Sequence, residues 1–232
     1  MPLLNIQQVK KVYQSQLNGQ PVEALKNITF SVEEGEYVAI MGESGSGKST
    51  LLNLMATLDQ PTAGELALNG IDLTTIKEKD AASFRRDHLG FVFQDFNLLD
   101  TFSVKDNILL PLVLSKVPVK QMDQRLQPLV RTLGITDLLQ HYPYELSGGQ
   151  KQRVAVARAI ITKPDLLLAD EPTGALDSKT SDQLLTLFQQ INQNGQTIIM
   201  VTHSSIAASR ATSIIHQRRS RLPSALSRRT NE

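Results

Sequence analysis

The sequence predicts a mixed α/β fold built on a sheet that is covered on both faces. Short β-rich runs recur at residues 28–32, 37–41, 89–93, 165–169 and 196–202, with helical stretches between them. Three of them (YVAIM, DLLLA and TIIMVT) are nearly continuous apolar segments, as in central strands that are buried on both sides. Such a sheet places its functional loops at the carboxyl ends of its strands, so the residues after each run are candidates for a functional site.

A predicted helical segment interrupts the strands in the middle of the chain. Ser103 is expected to cap a helix that ends at Pro111. A second helix over residues 119–133 is expected to end at Gly134, with Pro128 kinking or splitting it.

Length and composition are those of a globular chain. Of its 232 residues, 41% are apolar and 20% are charged, and no cysteine is present, which excludes disulfides, thiolate zinc sites and thiol catalysis. No apolar run approaches the roughly 18 residues of a membrane-spanning helix, so any membrane span is expected in another chain. We predict one domain over residues 1–211, with its core at 1–94 and 151–211 and a helical sub-lobe at 95–150, followed by a basic tail over 212–232.

The charges are unevenly distributed along the chain. The net charge is +1, but residues 210–232 contain six arginines and one acid, a balance of +5, which leaves −4 on residues 1–209. The body is therefore mildly acidic and has no basic footprint for nucleic acid.

A glycine-rich loop follows the run YVAIM and leads into an apolar helical segment. Its sequence GESGSGKST fits the phosphate-loop pattern G-x-x-x-x-G-K-[ST], in which backbone N–H groups and a helix N-terminus surround phosphate. Lys48 is expected to reach the β- and γ-phosphates of a nucleotide, and the Ser49 hydroxyl to bind Mg²⁺. The alternative is a turn that only joins strand to helix. The expected nucleotide contacts are Gly42, Glu43, Ser44, Gly45, Ser46, Gly47, Lys48, Ser49 and Thr50.

An acidic pair follows the run DLLLA. Asp170 is expected to hold Mg²⁺, and Glu171 is placed to deprotonate an attacking water as a general base. The alternative is a solvated acidic strand end.

A second anion site is predicted where the sequence LSGGQ precedes a helix. The first turn of that helix offers free N–H groups, a serine hydroxyl and flexible glycine backbone, provided by Ser147, Gly148, Gly149 and Gln150. Since the chain already has one complete phosphate loop, a second subunit is the economical explanation. The alternative is an ordinary capped helix start.

These motifs, with Gln94 after FVF, TGALD after the acidic pair and His203 after IIMVT, resemble the nucleotide-binding subunits of ABC transporters over about residues 4–210. The resemblance implies a P-loop NTPase (RecA-like) core with an inserted helical sub-lobe, of the ABC ATPase type. It implies ATP hydrolysis with Mg²⁺ by an ATP-driven dimer, beneath a membrane permease that contacts the substrate.

The resemblance also assigns roles across the dimer. Ser147, Gly149 and Gln150 contact the ATP bound to the opposite subunit, and Asp177 links the two sites.

Within one subunit, the resemblance assigns three further residues. Gln94 touches Mg²⁺ or the attacking water and signals to the permease. His203 contacts the γ-phosphate, although a histidine after a strand is more often structural. Tyr13 stacks on adenine, or is a packed strand residue.

The wording of several segments, such as FVFQDFNLL and NILLPL, resembles one branch of this family. That branch handles macrolides, lipoprotein release and bacitracin-like antimicrobial peptides, and the peptide-resistance type is the nearest match. The resemblance implies a cytoplasmic subunit, peripheral at the inner face of a bacterial cell membrane. A cell-division subunit, a non-transport ATPase of DNA repair or translation and a regulatory nucleotide switch are the alternatives.

The resemblance ends near Ala211. The family pattern continues with a strand, an Asp-Gly turn and another strand, whereas this chain has no Asp-Gly there and carries arginines. An altered reading frame, a basic tail that contacts anionic lipid or a partner, and a solvated end are the possible explanations. We expect residues 212–232 to be foreign to the fold and to lower its stability.

Overall fold

Two β-sheets organise the part of the chain that the computed structural model describes, namely residues 1–14 and 21–217. The strands are β1 (Leu4–Tyr13), β2 (Val22–Val32), β3 (Tyr37–Gly42), β4 (Ala63–Leu68), β5 (Ile71–Asp72), β6 (Leu89–Val92), β7 (Leu166–Asp170), β8 (Thr197–Thr202) and β9 (Ser213–Gln217). One sheet is parallel, with the order β6-β7-β8-β3-β9, and the other is antiparallel, with the order β2-β1-β4-β5.

Helices connect most of the parallel strands. They are α1 (Lys48–Met55), α2 (Glu78–His88), α3 (Val104–Leu114), α4 (Val119–Thr132), α5 (Gly148–Ile160), α6 (Ser178–Gln193) and α7 (Ser205–Ala208), with 3₁₀ turns at Leu73–Thr75, Thr136–Leu138 and Pro143–Glu145. Within the described residues, no helix combines the length and the apolar character that crossing a membrane requires.

The parallel sheet is buried on both faces, because successive side chains of a strand point in opposite directions. On β3, Tyr37 and Ala39 join a core formed with helices α3 to α7. Val38 and Ile40 join a second core formed with α1 and the antiparallel sheet. The three apolar runs are β3, β7 and β8, the interior strands of the parallel sheet, as the sequence predicts.

Proline does not end or split the helices of the middle segment. α3 is capped by Ser103, as expected, but it continues through Pro111 to Leu114, and α4 continues through Pro128. The expected stop at Pro111 is therefore wrong, and of the two effects expected at Pro128, a kink or a split, the split does not occur. Each proline removes one backbone hydrogen bond, and the apolar residues that both helices bury on either side of it offset that cost.

The chain stays in the fold beyond Ala211. β9 pairs with β3 from Val38 opposite Ser213 to Gly42 opposite Gln217. Ile214 packs against one core and Ile215 against the other, which gives this segment a reason to form a strand. The expectation that the tail begins at residue 212 is therefore wrong for β9. The remainder of that predicted tail, residues 218–232, lies outside the described residues.

Candidate active site

The phosphate-loop sequence turns directly from β3 into α1. Gly47 precedes the helix with φ of 92°, a left-handed conformation that favours glycine. A side chain on Gly47 would also place its Cβ 2.5 Å from the Ala24 carbonyl oxygen. Lys48 is buried, and its Nζ donates hydrogen bonds to the carbonyl oxygens of Gly42 (2.8 Å) and Glu43 (2.9 Å). The ammonium group of Lys48 is therefore held against the backbone of the phosphate loop.

A cavity of about 910 Å³ opens beside this loop. Its lining brings together predicted residues that lie far apart in the sequence, because β3, β7 and β8 all end at this edge of the parallel sheet. The predicted residues in the lining are Ser44, Gly45, Ser46, Gly47, Lys48, Ser49, Thr50, Asp170, Glu171 and His203, and the remaining members are Val22, Glu23, Ala24 and Val201.

Asp170 stands at the carboxyl end of β7 and faces this cavity. Burial raises the pKa of its carboxyl above the ordinary value, and the neighbouring Glu171 carboxylate raises it further, while the Lys48 ammonium lowers it. A divalent cation offsets the cost of keeping such a carboxylate ionised.

The donor set fits magnesium. Asp170 and the Ser49 hydroxyl line one cavity and offer hard oxygen ligands. Magnesium is usually held by one or two carboxylates together with water and substrate phosphates, and the described residues contain no cluster of three or more His, Cys, Asp or Glu that could form an all-protein cage.

Glu171 is held in a strained position beside Asp170. Its φ is 45°, a left-handed conformation that is costly for a residue other than glycine. Its two carboxylate oxygens accept hydrogen bonds from Thr202 Oγ1 (3.1 Å) and from His203 Nδ1 (2.8 Å). Since a carboxylate only accepts, Nδ1 of His203 is assigned as the donor in this pair. The predicted base and the predicted γ-phosphate contact thus form a hydrogen-bonded pair.

Gln94 lies outside the lining of the cavity, against the turn that follows Glu171. A Cβ on Gly174 would come within 2.9 Å of Gln94 Cδ, so the two loops are in close contact. Arg158 of α5 holds the loop after Gln94 by donating to the carbonyl oxygens of Phe96 (3.0 Å) and Asn97 (2.6 Å).

The LSGGQ segment forms the beginning of α5 and lies far from the phosphate loop in the sequence. Ser147 caps the helix: its Oγ accepts from the Gln150 N–H (3.3 Å), and Gln150 Oε1 accepts from the Ser147 N–H (2.8 Å). Ser147 and Gly148 are exposed, and residues 147–150 do not line the cavity of their own chain among the described residues.

Asp177 caps α6 next to the LSGGQ segment. Its carboxylate accepts from the backbone N–H (3.0 Å) and the hydroxyl (2.6 Å) of Thr180, and these hydrogen bonds lower its pKa. A Cβ on Gly149 would come within 2.5 Å of Thr180 Cγ2. Asp177, the predicted link between the two sites, and the LSGGQ segment are therefore neighbours within one subunit.

Tyr13 lies near the phosphate-loop helix but does not line the cavity, in the part of the chain that is described. Its hydroxyl donates to Asp59 Oδ2 (2.8 Å), the Lys11 ammonium lies 4.9 Å from its ring centre, and 41% of its surface is exposed. Burial raises the pKa of its hydroxyl, and the bond to Asp59 raises it further. The ring is thus partly exposed, and its hydroxyl has a structural partner.

Three residues that support the site were missed from the sequence. Thr202 precedes His203 and holds Glu171, as described above. Gln152 is fully buried on α5, and its Nε2 donates to the Pro172 carbonyl oxygen (2.9 Å), directly after the acidic pair. Arg158 lies further along the same helix. In the sequence, Gln152 and Arg158 are marked only as polar residues of the predicted helix KQRVAVARAII.

Comparison with known proteins agrees with this geometry. A family model described as ABC transporter matches residues 25–174. The chain is 50% identical to the uncharacterized ABC transporter ATP-binding protein YvcR of Bacillus subtilis over 232 residues, 100% of this chain and 90% of YvcR. It is 49% identical to the bacitracin export ATP-binding protein BceA of Halalkalibacterium halodurans over 93% of this chain and 85% of BceA.

Solved structures extend the comparison. Two structures of the cassette MJ0796 align with a TM-score of 0.86 and 35% identity, over 99% of this chain and 100% of that one. One is a dimeric bacterial ABC transporter cassette, and the other is a dimeric post-hydrolysis state bound to ADP and Pi. This chain belongs to the ABC transporter family and is an ATP-binding subunit with the ABC ATPase fold.

Proposed function

We propose that two copies of this chain enclose two ATP molecules, and that each ATP lies between the phosphate loop of one copy and residues 147–150 of the other. The observation that carries the proposal is the separation of two phosphate-binding features within one chain. The phosphate loop lines the cavity, whereas Ser147 is exposed and residues 147–150 are not among the described residues of that lining. A partner subunit gives this second helix end a nucleotide to bind. The dimeric MJ0796 cassettes support the arrangement.

The side chains of the cavity suit hydrolysis of the γ-phosphate. Lys48 neutralises charge on the β- and γ-phosphates, and Asp170 and Ser49 would hold Mg²⁺, which supplies further charge neutralisation. Glu171 accepts a proton from the attacking water while the oxygen of that water bonds to the γ-phosphorus and the bond to the ADP oxygen breaks.

His203 and Gln94 complete the proposed site. His203 exchanges its bond with Glu171 for the γ-phosphate, which frees one carboxylate oxygen for the water. Gln94 reports the presence of the γ-phosphate through its contact with the turn after Glu171. Asp177 links the two sites because it lies beside the LSGGQ segment, which contacts the partner's ATP.

We propose that the transport partner is a separate integral membrane permease, and that the chain works at the inner face of a bacterial cell membrane. The permease contacts the transported molecule. A bacitracin-like antimicrobial peptide is the proposed substrate, supported by the 49% identity to BceA. Lipoprotein release, macrolide export and cell division remain alternatives within this branch. A non-transport role in DNA repair or translation is the alternative from another class, and the acidic body of residues 1–209 disfavours it.

The two-subunit site is tested by the steady-state ATPase rate at increasing protein concentration. For the wild type, specific activity is expected to rise with concentration. Glu171→Gln is expected to lower kcat by about 100-fold or more, as loss of a general base does, and to dimerise with ATP in gel filtration. Specific activity that is independent of concentration would contradict the proposal.

The substrate is tested in the bacterium that encodes the chain. Replacing its gene with the Glu171→Gln variant is expected to lower the bacitracin concentration that stops growth, with macrolide sensitivity unchanged. Loss of macrolide resistance alone would favour macrolide export, and a division defect would favour a role in cell division.

A further inference from the structure

The last described strand touches the phosphate loop. Gly42, the first residue of the loop, is paired across the parallel sheet with Gln217 of β9. A Cβ on Gly42 would lie 2.4 Å from the Gln217 carbonyl oxygen, closer than real Cβ contacts come. The backbone of β9 thus fixes where the loop begins.

The Gln217 side chain reaches the other end of the loop. Its Nε2 lies 3.0 Å from where a Cβ on Gly47 would be, and the residue is only 4% exposed. The same glutamine therefore contacts both glycines that frame the loop. Within the described residues, its Oε1 is buried and has no hydrogen-bond partner.

A second buried polar atom without a partner lies in the loop itself. The Ser46 hydroxyl is also buried and has no hydrogen-bond partner among the described residues. It lies 2.6 Å from where a Cβ on Gly42 would be. Leaving buried polar groups unpaired is costly, so two such groups beside one loop call for an explanation. A hydroxyl can donate and an amide oxygen can accept, so Ser46 and Gln217 are complementary.

We propose that Gln217 is a positioning residue for the phosphate loop, and that its Oε1 accepts a hydrogen bond from the Ser46 hydroxyl when nucleotide fills the loop. This hydrogen bond stabilises the loop conformation that binds phosphate, so Gln217 affects nucleotide affinity without touching the nucleotide. The inference rests on the proposed role of the phosphate loop.

The test is calorimetric titration of the full-length protein with Mg-ADP, which the enzyme does not consume. Gln217→Leu and Ser46→Ala are each expected to weaken binding about fivefold to tenfold, the effect of one buried hydrogen bond. The double variant is expected to bind no more weakly than either single variant, because the two residues share one interaction. In ATPase assays of Gln217→Leu the KM for ATP rises and kcat stays within about twofold.

Two controls separate the possible failures. Ile215→Ala removes an apolar contact from the same strand, so it is expected to lower the melting temperature and leave Mg-ADP affinity unchanged. Lys48→Ala tests the loop itself: if it binds Mg-ADP as the wild type does, the proposed site is wrong. If Lys48→Ala loses binding while Gln217→Leu retains it, the inference about Gln217 is overturned. Additive losses in the double variant would overturn the Ser46 bond. If Gln217→Leu does not fold, Gln217→Met, which has nearly the same length and lacks the amide, takes its place.

Discussion

A truncation after Ala211 is expected to destabilise the fold severely. It removes Thr212 and the whole of β9, the strand that pairs with β3 from Val38 to Gly42. The sequence alone predicts the opposite result, since it assigns everything after Ala211 to a tail that lowers stability. The structure makes the two expectations distinguishable by one measurement.

The size of the effect follows from contacts of the lost segment. Thr212 exchanges hydrogen bonds of 2.8 to 3.0 Å with the backbone of Tyr37, and Ser213 Oγ donates to Glu36 (2.6 Å). At about 1 kcal/mol for each bond, this loss is about 4 kcal/mol. Partial burial of Ile214 and Ile215 adds about 2 kcal/mol. The total of about 6 kcal/mol is a large fraction of the roughly 5–15 kcal/mol by which native proteins are stable.

Thermal denaturation of three purified chains provides the assay. Since 1 kcal/mol corresponds to about 2–4 °C for a protein of this size, the chain that ends at Ala211 is expected to melt about 12–24 °C below the full chain. A chain that ends at Gln217 keeps every contact named above and is the matched control. Equal melting temperatures for the full chain and the chain that ends at Ala211 would refute the reasoning.

Substitutions at three further residues test the candidate site. Burial raises the pKa of the Asp170 carboxyl, so the folded chain binds the carboxyl proton more tightly than the unfolded chain does. Stability therefore falls as the pH rises from the unfolded pKa through the higher folded pKa of this group. Asp170→Asn is therefore expected to melt higher than the wild type at neutral pH, by a margin that shrinks as pH falls towards about 4, while its Mg-dependent ATPase activity is lost; an unchanged melting temperature at neutral pH would contradict the burial argument. Gln152→Leu removes an amide oxygen that has no partner among the described residues, but it also removes the bond to Pro172, so stability is expected to change little while kcat falls at least about tenfold. A proportional loss of stability and kcat would indicate a merely structural role. Tyr13→Phe breaks the bond to Asp59 and keeps the ring, so ATP affinity is expected to persist, whereas Tyr13→Ala weakens it about tenfold; equal affinity in both variants would exclude adenine stacking.

The parallel sheet could be predicted from sequence because its interior strands are buried on both faces. A strand with no wet face reads as an apolar run, and β3, β7 and β8 are such runs. The antiparallel sheet was less visible. β1 has register shifts against both of its neighbours, and these break the alternation that a half-buried strand otherwise shows.

The C-terminal strand was missed for a related reason. SIIHQ is five residues long, its burial comes from two different cores, and arginines follow it in the sequence. The arginines dominate the composition of residues 210–232, whereas the pairing of β9 with β3 depends on the sheet edge that β3 offers. A contact between β9 and the phosphate loop cannot be read from residues that are about 170 positions apart without the parallel pairing rule.

The position of the candidate residues could be predicted more fully than that of the residues supporting them. The phosphate-loop glycines, Asp170 and Glu171 stand out in the sequence because each motif comes directly after a strand, and the structure brings the two motifs to one cavity. Gln152 and Arg158 act on backbone carbonyls of distant loops. A carbonyl is present at every position, so no sequence pattern marks the partner of such a donor.

The most direct test of the composite site is complementation between two inactive variants. Lys48→Ala disables the phosphate loop. Ser147→Asp keeps a side chain that caps α5 but places a negative charge where the partner's phosphate is expected. Each variant alone is expected to lack ATPase activity, and an equimolar mixture is expected to regain activity, because a mixed dimer contains one site with an intact loop and an intact serine. A mixture as inactive as its components, with both chains folded and able to dimerise, would contradict the account.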